Sequence, residues 1–493
     1  MMMFRDEHGN NLPTIRIQRI QLENFKNVKH GEVVMYCGKK FIPYDTKSDI
    51  LGLYGQNGSG KTSLMDALGI LKYAMGGYSI HDSYADCISK WADHSRLSFD
   101  FDLQYPDGKI RKVVYSFSIR AVDKPESNNS GLLEDTSVIK NYYKQRVSVY
   151  DENISMSGQF EQTQKPLKPV IDTSCTNDVF TPKSKQKVFI NSITDIDDLK
   201  YYKRLSEEQS NSFIFFDKTI EKFYENTNYS EYFQVLLELR YYAKSFLFVV
   251  DTHSIATVRS GFNLPLFTRQ GLFLLRTIEP KIIPEDRYSV VCYQLDHINA
   301  VLSQLIPSLS VELKVLSDAV TKEGKKAKLI EVMASRGDIE IPFRDESDGI
   351  KKLVSVLALI IAVFNDRSIT VAIDEIDAGI YEFLLGEILQ MIQDSGKGQL
   401  LFTSHNLRPL EVLNKEFICF TTTNPDNRYY RLKGVGSTNN LRNLYIREIL
   451  MNDQDEELYK QTKRYKTIEA MASGGLMHYL PEDTKTTSND NKD

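Results

Sequence analysis

The chain has 493 residues, 41% hydrophobic and 26% charged, with a formal net charge of -5, which fits a globular protein long enough for about two to four compact units. Its five cysteines, Cys37, Cys87, Cys175, Cys292 and Cys419, are scattered, excluding a disulfide-stapled scaffold or a closely spaced metal pair. No apolar run approaches a membrane span, and Met1-Met2-Met3-Phe4-Arg5-Asp6 lacks the core of a secretion signal, so reduced thiols, a cytoplasmic address and no membrane partner are expected.

Ile15, Ile17, Ile20 and Leu22 alternate imperfectly and predict an opening strand that runs into Glu23-Asn24-Phe25-Lys26-Asn27. Short strands are expected at Glu32 to Tyr36 and Lys40 to Pro43. The apolar strand Ile50-Leu51-Gly52-Leu53-Tyr54 then enters Gly55-Gln56-Asn57-Gly58-Ser59-Gly60-Lys61-Thr62-Ser63, which fits G-x-x-x-x-G-K-[ST]. Leu64, Leu68, Leu71 and Met75 mark the helix that leaves it, ending at Gly76-Gly77. The glycines let consecutive N–H groups curl around an anion, Lys61 neutralises outer phosphates, and the Thr62 hydroxyl is placed to ligate Mg2+. Leu97 to Gln104 and Ile110 to Arg120 read as a hairpin over Pro106-Asp107-Gly108.

Residues 121–135 and 151–186 are rich in Ser, Thr, Asn, Gln and Pro and read as long loops. From about Ile196 to Ala300 the pattern is mainly helical, with Phe233, Leu236, Leu237 and Tyr241 on one stripe and Ile298, Leu302 and Leu305 on another. The expected organisation is an α/β nucleotide domain in two lobes, 1–120 and 336–480, split by a loop-rich, largely helical insertion at 121–335, with a disordered tail at 481–493.

Ser347-Asp348-Gly349 opens a helix with Leu353, Val354, Leu357, Ile360, Ile361 and Phe364 apolar. Its N-terminus is either a phosphate site or a plain Ser/Asp cap. Ser368-Ile369-Thr370-Val371-Ala372-Ile373 is a buried parallel strand closing on Asp374-Glu375, at the strand end where ligands of open α/β sheets collect. Asp374 would hold Mg2+ and Glu375 would polarise the water attacking a γ-phosphate. Gln399-Leu400-Leu401-Phe402-Thr403-Ser404 ends at His405, alone an ordinary strand-end histidine, but beside Asp374-Glu375 a group able to contact that water or the γ-phosphate.

A phosphate loop, a long insertion, a Ser-x-Gly helix start, Asp-Glu at a strand end, Asp377 and then His405 occur in an order that resembles the ABC-type ATPase heads of SMC, RecF and overcoming-lysogenisation (OLD) proteins, over residues 13 to 120 and 336 to 450. Ile20-x-Leu22-x-Asn24-Phe25-Lys26 looks like the family's opening strand. Glu346-Ser347-Asp348-Gly349 looks like its signature motif, with Ile350 in place of the second glycine. The resemblance implies a P-loop NTPase of ABC-ATPase head type that hydrolyses ATP with Mg2+, and a homodimer or higher homo-oligomer. Each ATP would lie between Gly55 to Ser63 of one subunit and Ser347, Asp348 and Gly349 of another, with Asp377 as the acid of the loop crossing the interface. Gln104 and Gln145 are both candidates for the family's remaining glutamine.

Stand-alone heads of this form resemble the ATPase components of antiphage systems such as PARIS, Septu and abortive-infection modules, which implies a regulator of a separately encoded effector, a nuclease. A fused nuclease is not expected, because the stretch after His405 is short and its Asp453-Gln454-Asp455 lies in a polar run. Two alternatives stay open. One is a RecF- or SMC-like DNA-binding ATPase of repair or recombination, whose nucleic acid would meet the basic-aromatic segments at Lys140 to Lys144, Lys200 to Arg204, Arg240 to Lys244 and Arg428 to Arg431. The other is a nucleotide-gated scaffold with little turnover.

Overall fold

Strand β1, Thr14–Phe25, carries the predicted alternation, and its imperfection has a structural cause. Pairing with the strand Ser95–Gln104 shifts register between Ile17 and Arg19, a bulge that turns Ile17 and Ile20 both into the core. This computed structural model describes residues 12–35, 48–124, 144–175, 178–226, 230–250, 263–268, 271–433, 440–451, 454–461 and 463–475. The strand expected at Lys40 to Pro43, the loop over 125–135 and the tail at 481–493 lie outside these residues.

After β1 come β2 (Val28–Val34), β3 (Asp49–Tyr54), β4 (Ser95–Gln104) and β5 (Ile110–Asp123), with the helix Lys61–Gly76 between β3 and β4. The helix stops where expected, at Gly77, whose φ of 72° lets its N–H turn back to the Ala74 carbonyl at 3.2 Å. The β4–β5 hairpin turns at Gly108, φ 85°, whose N–H bonds the Tyr105 carbonyl at 3.0 Å.

Where loops were expected over 151–186, the chain forms β6 (Gln145–Phe160) and β7 (Thr163–Asp172), which extend an antiparallel sheet of order β2-β1-β4-β5-β6-β7. In the second half of β6 the polar composition belongs mainly to one face: Ile154, Met156 and Phe160 point inward while Asn153, Ser155 and Ser157 alternate outward, whereas β7 is largely exposed. Reading composition without period averaged the two faces. On the inward side Glu152 is fully buried; its carboxylate accepts from the Tyr115 hydroxyl at 2.7 Å, Ser212 Oγ at 2.5 Å and the Phe213 N–H at 2.6 Å. Burial pushes its pKa up, against the pull of these donors. Glu152→Ala, which strands all three donors, is expected to cost about 3 kcal/mol in urea denaturation; a change within ~0.5 kcal/mol would remove this carboxylate as the tie between sheet and loop.

The stretch 121–335 holds the helices Lys183–Phe189, Ile193–Glu208, Asp217–Asn226, Glu231–Ser245 and Glu285–Leu305. Tyr232, Phe233, Leu236, Leu239 and Tyr242 form the buried stripe of the fourth, so its inner face is rotated from the predicted one and Leu237 is exposed. Strands share this stretch. β8 (Leu247–Val250) pairs in parallel with the strand Thr370–Ile373, so it belongs to the nucleotide sheet rather than to an insertion. β9 (Asn263–Thr268) and β10 (Gly271–Arg276) form a hairpin; β11 (Lys281–Pro284), β12 (Leu309–Val320), β13 (Lys326–Arg336) and β14 (Ile339–Pro342) form a third sheet. Residues 459–493 form a separate unit, in which the helix Arg464–Gly475 is described.

The remaining strands, β15 (Thr370–Ile373), β16 (Gln399–Thr403), β17 (Ile418–Thr421) and β18 (Tyr429–Tyr430), complete a central sheet of order β18-β17-β3-β16-β15-β8, parallel except for β18. Every residue of β3, β15, β16 and β17 is buried. Gln399 ties the two large sheets together: its amide donates to the Ile17 carbonyl at 2.8 Å and to Asp49 at 2.9 Å, and its oxygen accepts the Ile17 N–H. The carboxyl ends of β3, β15 and β16, far apart in sequence, thereby fall side by side.

Candidate functional site

These three strand ends surround one cavity of about 570 Å³, lined by Lys26, Asn27, Asn57, Gly58, Gly60, Lys61, Thr62, Ser63, Asp374, Glu375, Thr403 and His405. From β3 comes the loop Gly55 to Ser63, with φ of 155°, 75° and 98° at Gly55, Gly58 and Gly60, conformations closed to most side chains. Lys61 opens the following helix and folds its ammonium onto the Gly55 and Gln56 carbonyls at 2.8 and 3.1 Å. Burial lowers the Lys61 pKa, while the Asp374, Glu375 and Asp377 carboxylates pull against it. Ser59 points elsewhere, its hydroxyl donating to the Gln56 carbonyl at 2.5 Å.

From β15 come Asp374 and Glu375. Asp374 is buried; one carboxylate oxygen accepts from Thr403 Oγ1 at 2.5 Å, and the other has no hydrogen-bond partner. A buried carboxylate oxygen with no partner, in the same cavity as the Thr62 hydroxyl, fits a divalent cation, since Mg2+ takes one or two carboxylates together with phosphates and waters. Glu375 is exposed to the cavity and held at φ 50°, a left-handed conformation costly for a side chain with a Cβ. Two bonds keep it there: its N–H donates to Thr403 Oγ1 at 2.7 Å and its carbonyl accepts from Lys352 Nζ at 2.6 Å.

His405, after β16, lines the cavity at the strand end next to Glu375's. Asp377 lies outside the cavity lining; one carboxylate oxygen accepts the His405 and Asn406 N–H groups at 3.1 and 3.0 Å, so within one chain it fastens the loop of His405 to the loop after β15. Ser347, Asp348 and Gly349 also lie outside the cavity of their own chain. Ser347 caps the helix Asp348–Asn365, accepting the Ile350 N–H at 3.3 Å, and Asp348 pairs with Lys351 at 3.1 Å. A Cβ on Gly349 would lie 2.6 Å from the Gly379 carbonyl, so the helix start is packed directly on the loop that follows Asp377.

Three lining residues went unassigned from the sequence. Thr403 orients both Asp374 and Glu375, and no motif announces a threonine at a strand end. Lys26 and Asn27 follow β1, where Asn24 and Lys26 have φ of 52° and 51°. Burial alone would lower the Lys26 pKa, but the buried Asp66 carboxylate, Cys87 and Asp374 together outweigh this and raise it. The run Asn24-Phe25-Lys26-Asn27 between two strands was the available signal. Gln104 and Gln145 end strands of the antiparallel sheet and do not line the cavity.

Of the basic-aromatic segments, Lys140 to Tyr143 lie outside the described residues, Lys200, Tyr201 and Arg204 are exposed, and the other two are partly absorbed by the fold. Tyr242 is buried with its hydroxyl on Thr370 Oγ1 at 2.8 Å, Arg428 and Tyr429 are buried beside the phosphate loop, and Lys203 bonds the Thr173 carbonyl at 2.6 Å; Tyr201 remains exposed. Near the expected acidic run, Asp455 pairs with Lys433 and Glu456 with Asn427. Among the described residues no group of three His, Cys, Asp or Glu side chains could hold a metal, and no helix is long and apolar enough to cross a membrane.

The parallel sheet, the phosphate loop after β3 and the acidic pair after β15 define a P-loop NTPase of the ABC-ATPase head type. Residues 19–245 match the family model described as "AAA domain", and residues 293–411 match "AAA domain, putative AbiEii toxin, Type IV TA system". No curated protein matches the chain. Similar solved structures include the Smc head bound to the C-winged helix domain of ScpA (13% identity, TM-score 0.42, 84% of this chain and 98% of that one). The SMC head domain from Thermotoga maritima (12%, 0.32, 85% and 99%) and the recombination mediator RecF with ATP (12%, 0.36, 85% and 100%) are also similar.

Proposed function

We propose that this chain binds ATP with Mg2+, hydrolyses it to ADP and phosphate, and uses the cycle to close and open a homodimer that regulates a separately encoded effector. The observation that carries this reading is the convergence of Lys61 and Thr62, Asp374 and Glu375, and His405 on one cavity from three strands. Thr62 and Asp374 would hold Mg2+, which would supply charge neutralisation at the phosphates. Lys61 would exchange its carbonyl partners for the outer phosphates. The Glu375 carboxylate would accept a proton from the attacking water, with His405 contacting the γ-phosphate from the neighbouring strand end.

Ser347 to Gly349 stand at a helix N-terminus outside their own cavity, a placement suited to covering the γ-phosphate held by a second copy. The contact of Gly349 with Gly379 and of Lys352 with Glu375 would then join the surface that meets the partner's nucleotide to the chain's own hydrolytic carboxylate. The effector would be a nuclease in antiphage defence; the toxin–antitoxin wording of the second family model fits a paired regulatory system and names no nuclease. Mass measured by light scattering should double on adding ATP to Glu375→Gln, and Ser347→Arg should abolish the doubling. A monomer at saturating ATP would sink the dimer.

A further inference from the structure

We propose that Thr421, Arg428 and Tyr429, at the β17–β18 hairpin, are positioning residues that hold the phosphate loop from behind and set its affinity for the nucleotide's phosphates; this rests on the ATP-binding reading above. The carbonyls of alternate loop residues are each tied to a partner. Tyr54 O accepts from Thr421 Oγ1 at 3.2 Å, Gln56 O from Ser59 Oγ within the loop, Gly58 O from Asn27 Nδ2, and Gly60 O from the Tyr429 hydroxyl at 2.9 Å. Arg428 completes the frame, one nitrogen bonding the Asn27 carbonyl and the other the Thr422 carbonyl at 2.7 Å. Thr421 Oγ1 also meets Ser59 Oγ.

A trans peptide points the carbonyl of one residue and the N–H of the next in opposite directions. Tying Gly60 O to Tyr429 therefore aims the Lys61 N–H away from the hairpin, on the side where Gly60 and Lys61 line the cavity. Thr421 acts one step further back, fixing Tyr54 O at the end of β3, where the loop begins, and meeting Ser59 Oγ within it. An anion cradle built from backbone N–H groups works only if those groups converge before the anion arrives, because otherwise binding must order them. The loop's three glycines with left-handed φ make that order expensive to leave to the loop alone.

The hairpin is built for this contact. Thr421 is fully buried, and Arg428 and Tyr429 are each 6% exposed. The Tyr429 ring lies against Gly31 of β2, where a Cβ would come within 2.6 Å of it, and a Cβ on Gly55 would strike Thr421 Oγ1. The hairpin is also anchored to the start of β2, since Lys29 and His30 both donate their N–H groups to the Pro425 carbonyl at 2.9 Å. One basic-aromatic segment that could have served nucleic acid is thus committed to the phosphate loop.

Equilibrium binding of a fluorescent ATP analogue tests the assignment on the full chain. Tyr429→Phe keeps the ring against Gly31 and removes one hydroxyl; Thr421→Val removes the other. Each is expected to weaken binding about fivefold and the pair about 25-fold, with kcat within about twofold, since the phosphates are held alike in ground and transition states. Tyr242→Phe, which loses an equally buried hydroxyl bond away from the loop, serves as the control and should lower the melting temperature without changing affinity. Should Thr421→Val fail to fold, Tyr429→Phe carries the test. Wild-type affinity in Tyr429→Phe, or a lowered melting temperature with affinity unmoved, overturns this proposal alone; a wild-type chain that fails to bind the analogue overturns the ATP reading and this one with it.

Discussion

Glu375→Gln is expected to lower ATP turnover by about 100-fold or more while leaving ATP affinity within about threefold of wild type. The amide is nearly isosteric and keeps the backbone bonds to Thr403 and Lys352 that hold residue 375 at positive φ, so the variant changes the proton acceptor and little else. Initial rates of phosphate release at saturating ATP and Mg2+ measure it. Equal, near-background rates in variant and wild type would instead favour the nucleotide-gated scaffold, in which binding alone does the work. Full turnover in the variant would remove Glu375 from the chemistry and leave His405 as the cavity's other candidate base.

Lys61→Ala is expected to weaken ATP binding by about 100-fold, with turnover lost in proportion. The ammonium is buried and in this structure satisfied by two loop carbonyls, so its removal also takes a donor from the Gly55 and Gln56 carbonyls, of which Gln56 keeps Ser59. Loop disorder and lost charge act in the same direction, and Lys61→Met, which preserves much of the stem's packing, separates them: if charge dominates, the two variants bind equally poorly. Titration calorimetry with ATP, in the presence and absence of Mg2+, gives both numbers. Binding within about threefold of wild type in Lys61→Ala would sink the phosphate-loop reading altogether.

Both expectations concern residues whose placement was legible because it follows from a short, ordered motif. A glycine-rich turn between an apolar strand and an amphipathic helix, and two carboxylates ending a β-branched run, are local patterns, and Gly55 to Ser63 and Asp374-Glu375 stand where those patterns put them. The helix end at Gly77 and the turn at Gly108 were legible for the same reason, since each depends on one residue's access to positive φ. β6 and β7 were not. The polar residues of β6 fill an outward face whose inward partners become evident only when the neighbouring strand β5 is in place.

The amino-acid sequence by itself determined the phosphate loop, the acidic strand end, the capped helix at Ser347 and the order in which they occur, because each is encoded within about ten residues by dihedral preference and side-chain period. Only the tertiary structure decided that β8 joins the sheet beside β15, that Thr403 orients both carboxylates, that Lys26 and Asn27 reach the cavity, and that Tyr429 closes on Gly60 across most of the chain. Those contacts arise from strand order and from which buried hydroxyl or amide must find a partner once the sheets stack, and strand order is a property of the whole packed core rather than of any segment in it.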